Sequence, residues 1–96
     1  MSERSKAKAT VQIENDRVIV TEWRLAPGAE TGWHRHGYDY VVISETTGKL
    51  LLEAKEGNQE AKLRAGQAYF RKAGVEHNTV NANEYEFVFV EVELRQ

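Results

Sequence analysis

Two stretches of this 96-residue chain decide how it folds: PGAETGWHRH at residues 27–36 and GQAYFRKAGVEHNTVN at residues 66–81. Together they contain all three histidines of the chain, His34, His36 and His77. In extended backbone alternate side chains point to the same face, so the imidazoles of His34 and His36 project together. A His-x-His pair alone is more often a surface feature than a site. The third histidine, in a second glycine-punctuated stretch, makes the three a candidate metal site for nitrogen-binding metals.

The spacing of these stretches resembles the two motifs of the cupin superfamily, G-(x)5-H-x-H-(x)3,4-E-(x)6-G and G-(x)5-P-x-G-(x)2-H-(x)3-N. This chain reads Gly28-(x)5-His34-x-His36 and then Gly66-(x)5-Lys72-x-Gly74-(x)2-His77-(x)3-Asn81. The resemblance implies a double-stranded β-helix, the jelly-roll barrel, with one divalent ion (Fe, Mn, Ni or Zn) held by the three histidines. Positive φ angles are expected at Gly28, Gly66 and Gly74, where each motif turns. Asn81 is expected to serve either as a strand-end hydrogen bonder or as a site residue.

The sequence departs from the family pattern at the glutamate of the first motif. Tyr40 occupies that position, and Asp39 stands one residue early, where a strand would turn it to the opposite face unless a bulge intervened. The expected ligand shell is therefore reduced to three imidazoles. Tyr40 is the one candidate catalytic residue; it could line a pocket, hydrogen-bond a water on the ion, coordinate as phenolate or be a core tyrosine. A second departure, Lys72 in place of proline, loosens a turn.

The rest of the chain has the pattern of short strands separated by turns. Apolar alternation and β-branched residues predict strands at residues 10–14, 17–25, 38–44, 49–54, 60–64, 67–71, 76–81 and 84–94. Residues 38–44 and 49–54 are interpreted as a hairpin closed at 45–48. No window has a helical apolar stripe. Eight or nine strands of this kind indicate an all-β sandwich or barrel.

Composition limits the remaining possibilities. The chain has room for one domain, expected at residues 10–96 after a flexible N-terminal tail at 1–9. A net charge of −2 argues against a nucleic-acid partner, and the lack of a long apolar run argues against a membrane span. Without cysteine, any metal must be held by nitrogen and oxygen ligands. Because the N-terminus has no signal-peptide pattern, the expected location is cytoplasmic.

Aromatic residues at strand spacing supply candidates for a pocket around the metal, although residues in this pattern more often belong to a barrel core. Inward candidates are Trp23, Val42, Tyr69 and Phe70, whereas Arg35 and Glu76 are expected to face solvent. In the last strand Phe87 and Phe89 share a face with Glu91 and Glu93. The aromatic pair is either covered by neighbouring strands or forms a patch for a second subunit. A homodimer is expected from that patch and from the family resemblance.

Three functions remain open at this point. The first is an Fe(II)-dependent oxygenase acting on a small molecule, similar at its site to the three-histidine dioxygenases of the superfamily. The second is a non-catalytic domain that binds or senses a small-molecule ligand through the metal. The third is an isomerase like the sugar-nucleotide epimerases, which would need a histidine base paired with a carboxylate and an opposing tyrosine acid.

Overall fold

The structure, a computed structural model, describes residues 4–95 and consists of nine β-strands and the loops between them. The strands are β1 (Lys8–Glu14), β2 (Val18–Leu25), β3 (His34–Arg35), β4 (Asp39–Ser44), β5 (Gly48–Glu53), β6 (Gln59–Leu63), β7 (Ala68–Arg71), β8 (Glu76–Asn81) and β9 (Phe87–Leu94). Nothing in the described range forms a helix that is long and apolar enough to cross a membrane. The predicted all-β class is confirmed.

The strands form two antiparallel sheets in a jelly-roll arrangement. One sheet has the order β1-β2-β9-β4-β7 and the other the order β3-β8-β5-β6. The predicted hairpin of β4 and β5 is wrong, because the two strands belong to different sheets. β4 pairs with β7 and β9, while β5 pairs with β6 and β8. The short turn after Ser44 therefore carries the chain from one sheet to the other, a connection that strand propensity and turn residues alone do not distinguish from a hairpin.

The core lies between the two sheets. It is built from side chains of both sheets and of the loop after β2: Leu25, Ala29, Tyr40, Val42, Leu50, Leu52, Leu63, Phe87 and Phe89. Phe87 and Phe89 are 0% and 4% exposed, so the interpretation that they form a surface patch for a second subunit is wrong.

The prediction that Phe70 points inward is also wrong. It is 51% exposed, because its neighbour Tyr69 takes the inward position and alternate residues of a strand face opposite sides.

One end of the barrel is closed by Asn81, the last residue of the second motif. Its buried Nδ2 donates to the carbonyl oxygens of Leu25, Ala26 and Tyr85 at 2.9, 3.2 and 2.8 Å. Its Oδ1 accepts from the backbone and side-chain nitrogens of Asn83 at 2.8 and 2.7 Å. Asn81 thus ties the end of β2 to the turn before β9, which confirms the strand-end role.

Glycines at the motif turns have the left-handed backbone that was expected of them. The φ angles of Gly28, Gly66 and Gly74 are +79°, +88° and +102°. The turn at Gly74 matters most for function, because it leads directly into β8 and sets where that strand begins. A residue with a Cβ would be strained there.

The N-terminal segment contacts both sheets. β1 begins at Lys8, two residues before the predicted start, and is the edge strand of the larger sheet, where β2 is its only partner among the described strands. Before it, Ala7 donates a backbone hydrogen bond to Glu30, and the guanidinium of Arg4 bridges the carboxylates of Glu30 and Glu53. The predicted flexible tail at 1–9 includes residues 1–3, which lie outside the described residues.

A candidate metal centre between the sheets

Strand register brings the two motifs together. In the pairing of β3 with β8, His34 stands directly opposite His77. His36 follows two residues after His34, and its backbone nitrogen donates to the Val75 carbonyl at 2.9 Å. The nitrogen of Gly74 donates to the carbonyl of His36 at 2.8 Å, so the turn before β8 is tied to the end of β3. The strand pairing and these backbone hydrogen bonds bring the three imidazoles together on one side of the β3–β8 pair.

The three Nε2 atoms lie close together. The Nε2 atoms of His34 and His36 are 3.0 Å apart, and those of His36 and His77 are 3.2 Å apart. His34 Nδ1 is 2.7 Å from the carbonyl oxygen of Gly32, which can only accept a hydrogen bond. The proton of neutral His34 is therefore assigned to Nδ1, which leaves the lone pair of Nε2 facing the other two rings.

This arrangement fits a divalent ion. Two nitrogens about 2.1 Å from one ion are separated by about 3.0 Å at a 90° angle and about 3.4 Å at the tetrahedral angle. The observed separations of 3.0 and 3.2 Å fall in this range. Hydrogen bonding among the rings is a poorer explanation, because a single Nε2 proton on His36 cannot serve both neighbours well. The histidine triad could therefore hold a metal ion through its three Nε2 atoms.

Tyr40, at the position of the family glutamate, supports the site through its ring. The phenol ring stacks on the imidazole of His36 with centroids 3.8 Å apart and an interplanar angle of 18°. The side chain is 1% exposed, and its hydroxyl has no hydrogen-bond partner within residues 4–95. Burial, followed by the charge of Tyr69 and of the nearby carboxylates, raises the pKa of Tyr40. A raised pKa disfavours the phenolate, so coordination by Tyr40 is the least supported of its roles.

Asp39 does not replace the missing glutamate. Its Oδ1 accepts a hydrogen bond from the backbone nitrogen of Ala73 at 2.8 Å and so holds the turn that precedes β8. The bulge that would be needed to turn Asp39 inward is not part of the pairing of β4 with β7 or β9, where the register is regular. Arg35 and Glu76 face solvent, as expected.

Two carboxylates that the sequence analysis did not name as site residues lie beside the histidines. Glu91 Oε2 is 3.8 Å from His36 Nε2, and Glu93 Oε2 is 3.9 Å from His36 Nδ1. Glu91 is buried and Glu93 partly buried. The signal that could have found them is the alternation Phe87-x-Phe89-x-Glu91-x-Glu93, because a barrel that buries the two aromatic rings must also turn both glutamates inward.

Burial controls the charge state of these groups. It lowers the pKa of His36 to about 3 and that of His77 to about 4, with the neighbouring His34 acting in the same direction. Burial and, to a smaller extent, the charge of the nearby Glu93 raise the pKa of Glu91 to about 7, while the indole of Trp23 acts in the opposite direction. The Trp23 Nε1 nevertheless makes no hydrogen bond of normal geometry among the described residues. Both imidazoles are therefore neutral at pH 7, the state in which they bind metals.

A cavity of about 240 Å³ opens over the histidines. Its lining includes the four predicted pocket residues, Trp23, Tyr40, Val42 and Tyr69, together with Glu91 and Glu93. His77 also borders a wider hollow of about 540 Å³, whose wall includes Arg71. The guanidinium of Arg71 lies 5.2 Å from the centre of the Tyr69 ring.

Comparison with known proteins agrees with the fold and the motifs. The cupin domain profile matches residues 21–93. The chain belongs to the cupin family. Over 95 residues, this cupin is 65% identical to the β-alanine degradation protein BauB of Pseudomonas aeruginosa, covering 99% of this chain and 100% of that protein.

Two solved structures resemble this one. A cupin domain from Bordetella pertussis is 55% identical and superimposes with a TM-score of 0.98 over the whole of both chains. A conserved protein with a double-stranded β-helix domain from Klebsiella pneumoniae is 22% identical, with a TM-score of 0.79 over 99% of this chain and 82% of that one. The second match concerns the fold alone.

Proposed function

We propose that this cupin is a mononuclear metalloenzyme of the three-histidine oxygenase type that acts on a small molecule related to β-alanine. The observation that carries the proposal is the convergence of three imidazole Nε2 atoms, 3.0 and 3.2 Å apart, on the floor of a small cavity. When bound there, a divalent ion such as Fe(II) would supply redox and Lewis-acid chemistry and would keep coordination positions open for a substrate. The metal is proposed to be iron, with Mn, Ni and Zn as the other candidates.

The residues around the triad have distinct tasks in this proposal. Gly32 fixes the tautomer of His34 through its carbonyl oxygen, as outer contacts of metal-binding histidines commonly do. Tyr40 holds the ring plane of His36 by stacking. Val42, Leu50 and Phe89 give the cavity an apolar wall.

The choice of substrate class rests on the relative and on the charges near the cavity. The 65% identical protein is named for the degradation of β-alanine, a small molecule with an amine at one end and a carboxylate at the other. Arg71, in the wall of the hollow that also borders His77, offers a cation for a carboxylate, while Glu91 and Glu93 in the cavity offer acceptors for an amine. A cavity of about 240 Å³ suits a molecule of a few carbons better than a sugar nucleotide.

The epimerase-like alternative has less support. It needs a tyrosine acid facing the histidine base across the substrate. Here Tyr40 lies flat against His36, and its hydroxyl is buried rather than open to the cavity. The non-catalytic binding domain remains the second candidate, because an ion held by the three histidines could anchor a small molecule without any reaction.

The experiment that tests the proposal is dioxygen uptake. Metal-free protein is loaded anaerobically with Fe(II), exposed to oxygen, and offered β-alanine and short amino acids and carboxylic acids in an oxygen electrode. We expect uptake that requires both iron and the histidine triad, so that His36→Ala abolishes it. Lys72→Ala, at an exposed position outside the cavity lining, should retain it. Ligand binding with no oxygen uptake would instead support the non-catalytic domain.

We also propose that the protein is a homodimer in the cytoplasm. The original reason, an exposed Phe87 and Phe89, no longer holds. A different feature supports a dimer: β1 is an edge strand whose seven residues are all exposed, including Val11 and Ile13 at 54% and 48%. An edge strand presents unpaired backbone N–H and C=O groups that can pair with a strand of a second chain.

A further inference from the structure

The last strand turns two acids toward the barrel interior. β9 continues the buried aromatic face of Phe87 and Phe89 with Glu91 and Glu93, and both carboxylates line the cavity over the histidines. This position is unusual for a glutamate, since a buried carboxylate is costly unless a cation or several hydrogen bonds compensate it.

No lysine or arginine within residues 4–95 forms an ion pair with either acid. In the part of the chain that the structure describes, their only basic neighbour at 4 Å or less is His36, whose imidazole approaches Glu91 at 3.8 Å and Glu93 at 3.9 Å. A neutral imidazole does not compensate a carboxylate charge. The described chain thus buries Glu91 without supplying a cation for it.

At the histidine triad the excess charge would be positive. Three neutral imidazoles leave a divalent ion with its full positive charge inside a cavity between two sheets. The family pattern would offset part of that charge with a glutamate at position 40, but Tyr40 is neutral and its hydroxyl is buried. The group of His36, Glu91 and Glu93 shares His36 with the histidine triad, and its ligand atoms all lie within 4.8 Å of one another.

We propose that Glu91 is the carboxylate partner of the ion bound by His34, His36 and His77, supplied by the last strand in place of the glutamate that the first motif lacks. The proposal rests on the metal site of the proposed function. Glu91 lies on the side of His36 that faces the cavity, and its distance of 3.8 Å from His36 Nε2 places it next to that ligand. Its role is to offset the charge of the ion and to raise its affinity. Outer carboxylates of metal sites typically contribute 10- to 100-fold in affinity.

The test compares three variants by calorimetric titration of the metal-free protein with Co²⁺ at pH 8. Glu91→Gln keeps the size of the side chain and removes its charge, so it should weaken binding about 10- to 100-fold. Glu91→Asp keeps the charge and should recover most of that loss. Glu84→Gln is the matched control: it removes the same charge from an exposed turn before β9 and should bind as the wild type does.

A second readout separates this role from simple packing. In the metal-free protein Glu91→Gln removes an uncompensated buried charge and should raise the melting temperature, while the increase in melting temperature on adding Co²⁺ should shrink. A residue that only packs would lower the melting temperature in both states. If Glu91→Gln binds Co²⁺ as tightly as Glu84→Gln, the role of Glu91 is refuted and the metal site stands. If the wild type binds no Co²⁺, the metal site of the proposed function itself fails.

Discussion

Removing the hydroxyl of Tyr40 should make the protein more stable. That hydroxyl is buried and has no hydrogen-bond partner in the described structure, and the side chain is 1% exposed. A buried polar group without a partner costs about 1–3 kcal/mol. Tyr40→Phe eliminates this cost and keeps the ring that stacks on His36, so we expect the free energy of unfolding to rise by about 1–2 kcal/mol.

The assay is urea denaturation and thermal melting of the metal-free protein at pH 7. For a domain of this size a gain of 1–2 kcal/mol corresponds to a rise in melting temperature of about 4–16 °C. Tyr85→Phe is the control, because the Tyr85 hydroxyl donates to the Thr47 carbonyl at 2.9 Å at the surface. It should lose about 0.5–1 kcal/mol. A loss of 1 kcal/mol or more in Tyr40→Phe would refute the reasoning and would mean that the hydroxyl has a partner such as an ordered water.

Three further predictions concern stability, pH and assembly. Asn81→Ala should lower the free energy of unfolding by about 2–4 kcal/mol in urea, because carbonyls at the closed end of the barrel lose their donor; an unchanged midpoint would contradict the role of Asn81. In the metal-free protein the pKa of His36 is about 3, whereas in the unfolded chain it is 6.5. The unfolded chain therefore takes up the proton first, and the free energy of unfolding falls as the pH drops below 6.5. His36 alone should lower it by about 2 kcal/mol at pH 5. Glu91, with a pKa raised to about 7, opposes that loss, and Glu91→Gln should therefore steepen the fall between pH 7 and 5 in acid titrations followed by circular dichroism. Light scattering should give twice the chain mass of 11.0 kDa, and a single-chain mass would rule out the dimer.

The convergence of the three histidines was predictable, because it depends on the spacing of residues within each of the two motifs. The extended His34-x-His36 pair, the turn at Gly74 and the position of His77 together specify which side chains can meet, and β3 and β8 bring His34 and His77 opposite each other as this requires. The substitution of Tyr40 for the family glutamate was likewise readable from one position in the sequence.

What the sequence did not reveal depends on pairing between distant strands. The turn after Ser44 connects two sheets, and nothing in its residues distinguishes that connection from a hairpin. Glu91 and Glu93 look like an ordinary solvent-facing pair until the burial of Phe87 and Phe89 fixes which face of β9 points inward. The strand propensity of these residues does not indicate which face of β9 points inward. That orientation depends on how β9 packs between β2 and β4.

The measurement that tests the central claim most directly is the stoichiometry of metal binding to the histidine triad. Metal-free wild-type protein, His36→Ala, His77→Ala and Arg35→Ala are titrated with Co²⁺, and bound metal is determined by elemental analysis after gel filtration. We predict one ion per chain in the wild type and in Arg35→Ala, and no retained ion in the two histidine variants. Absence of bound metal in the wild type, or equal retention in the histidine variants, would contradict the account.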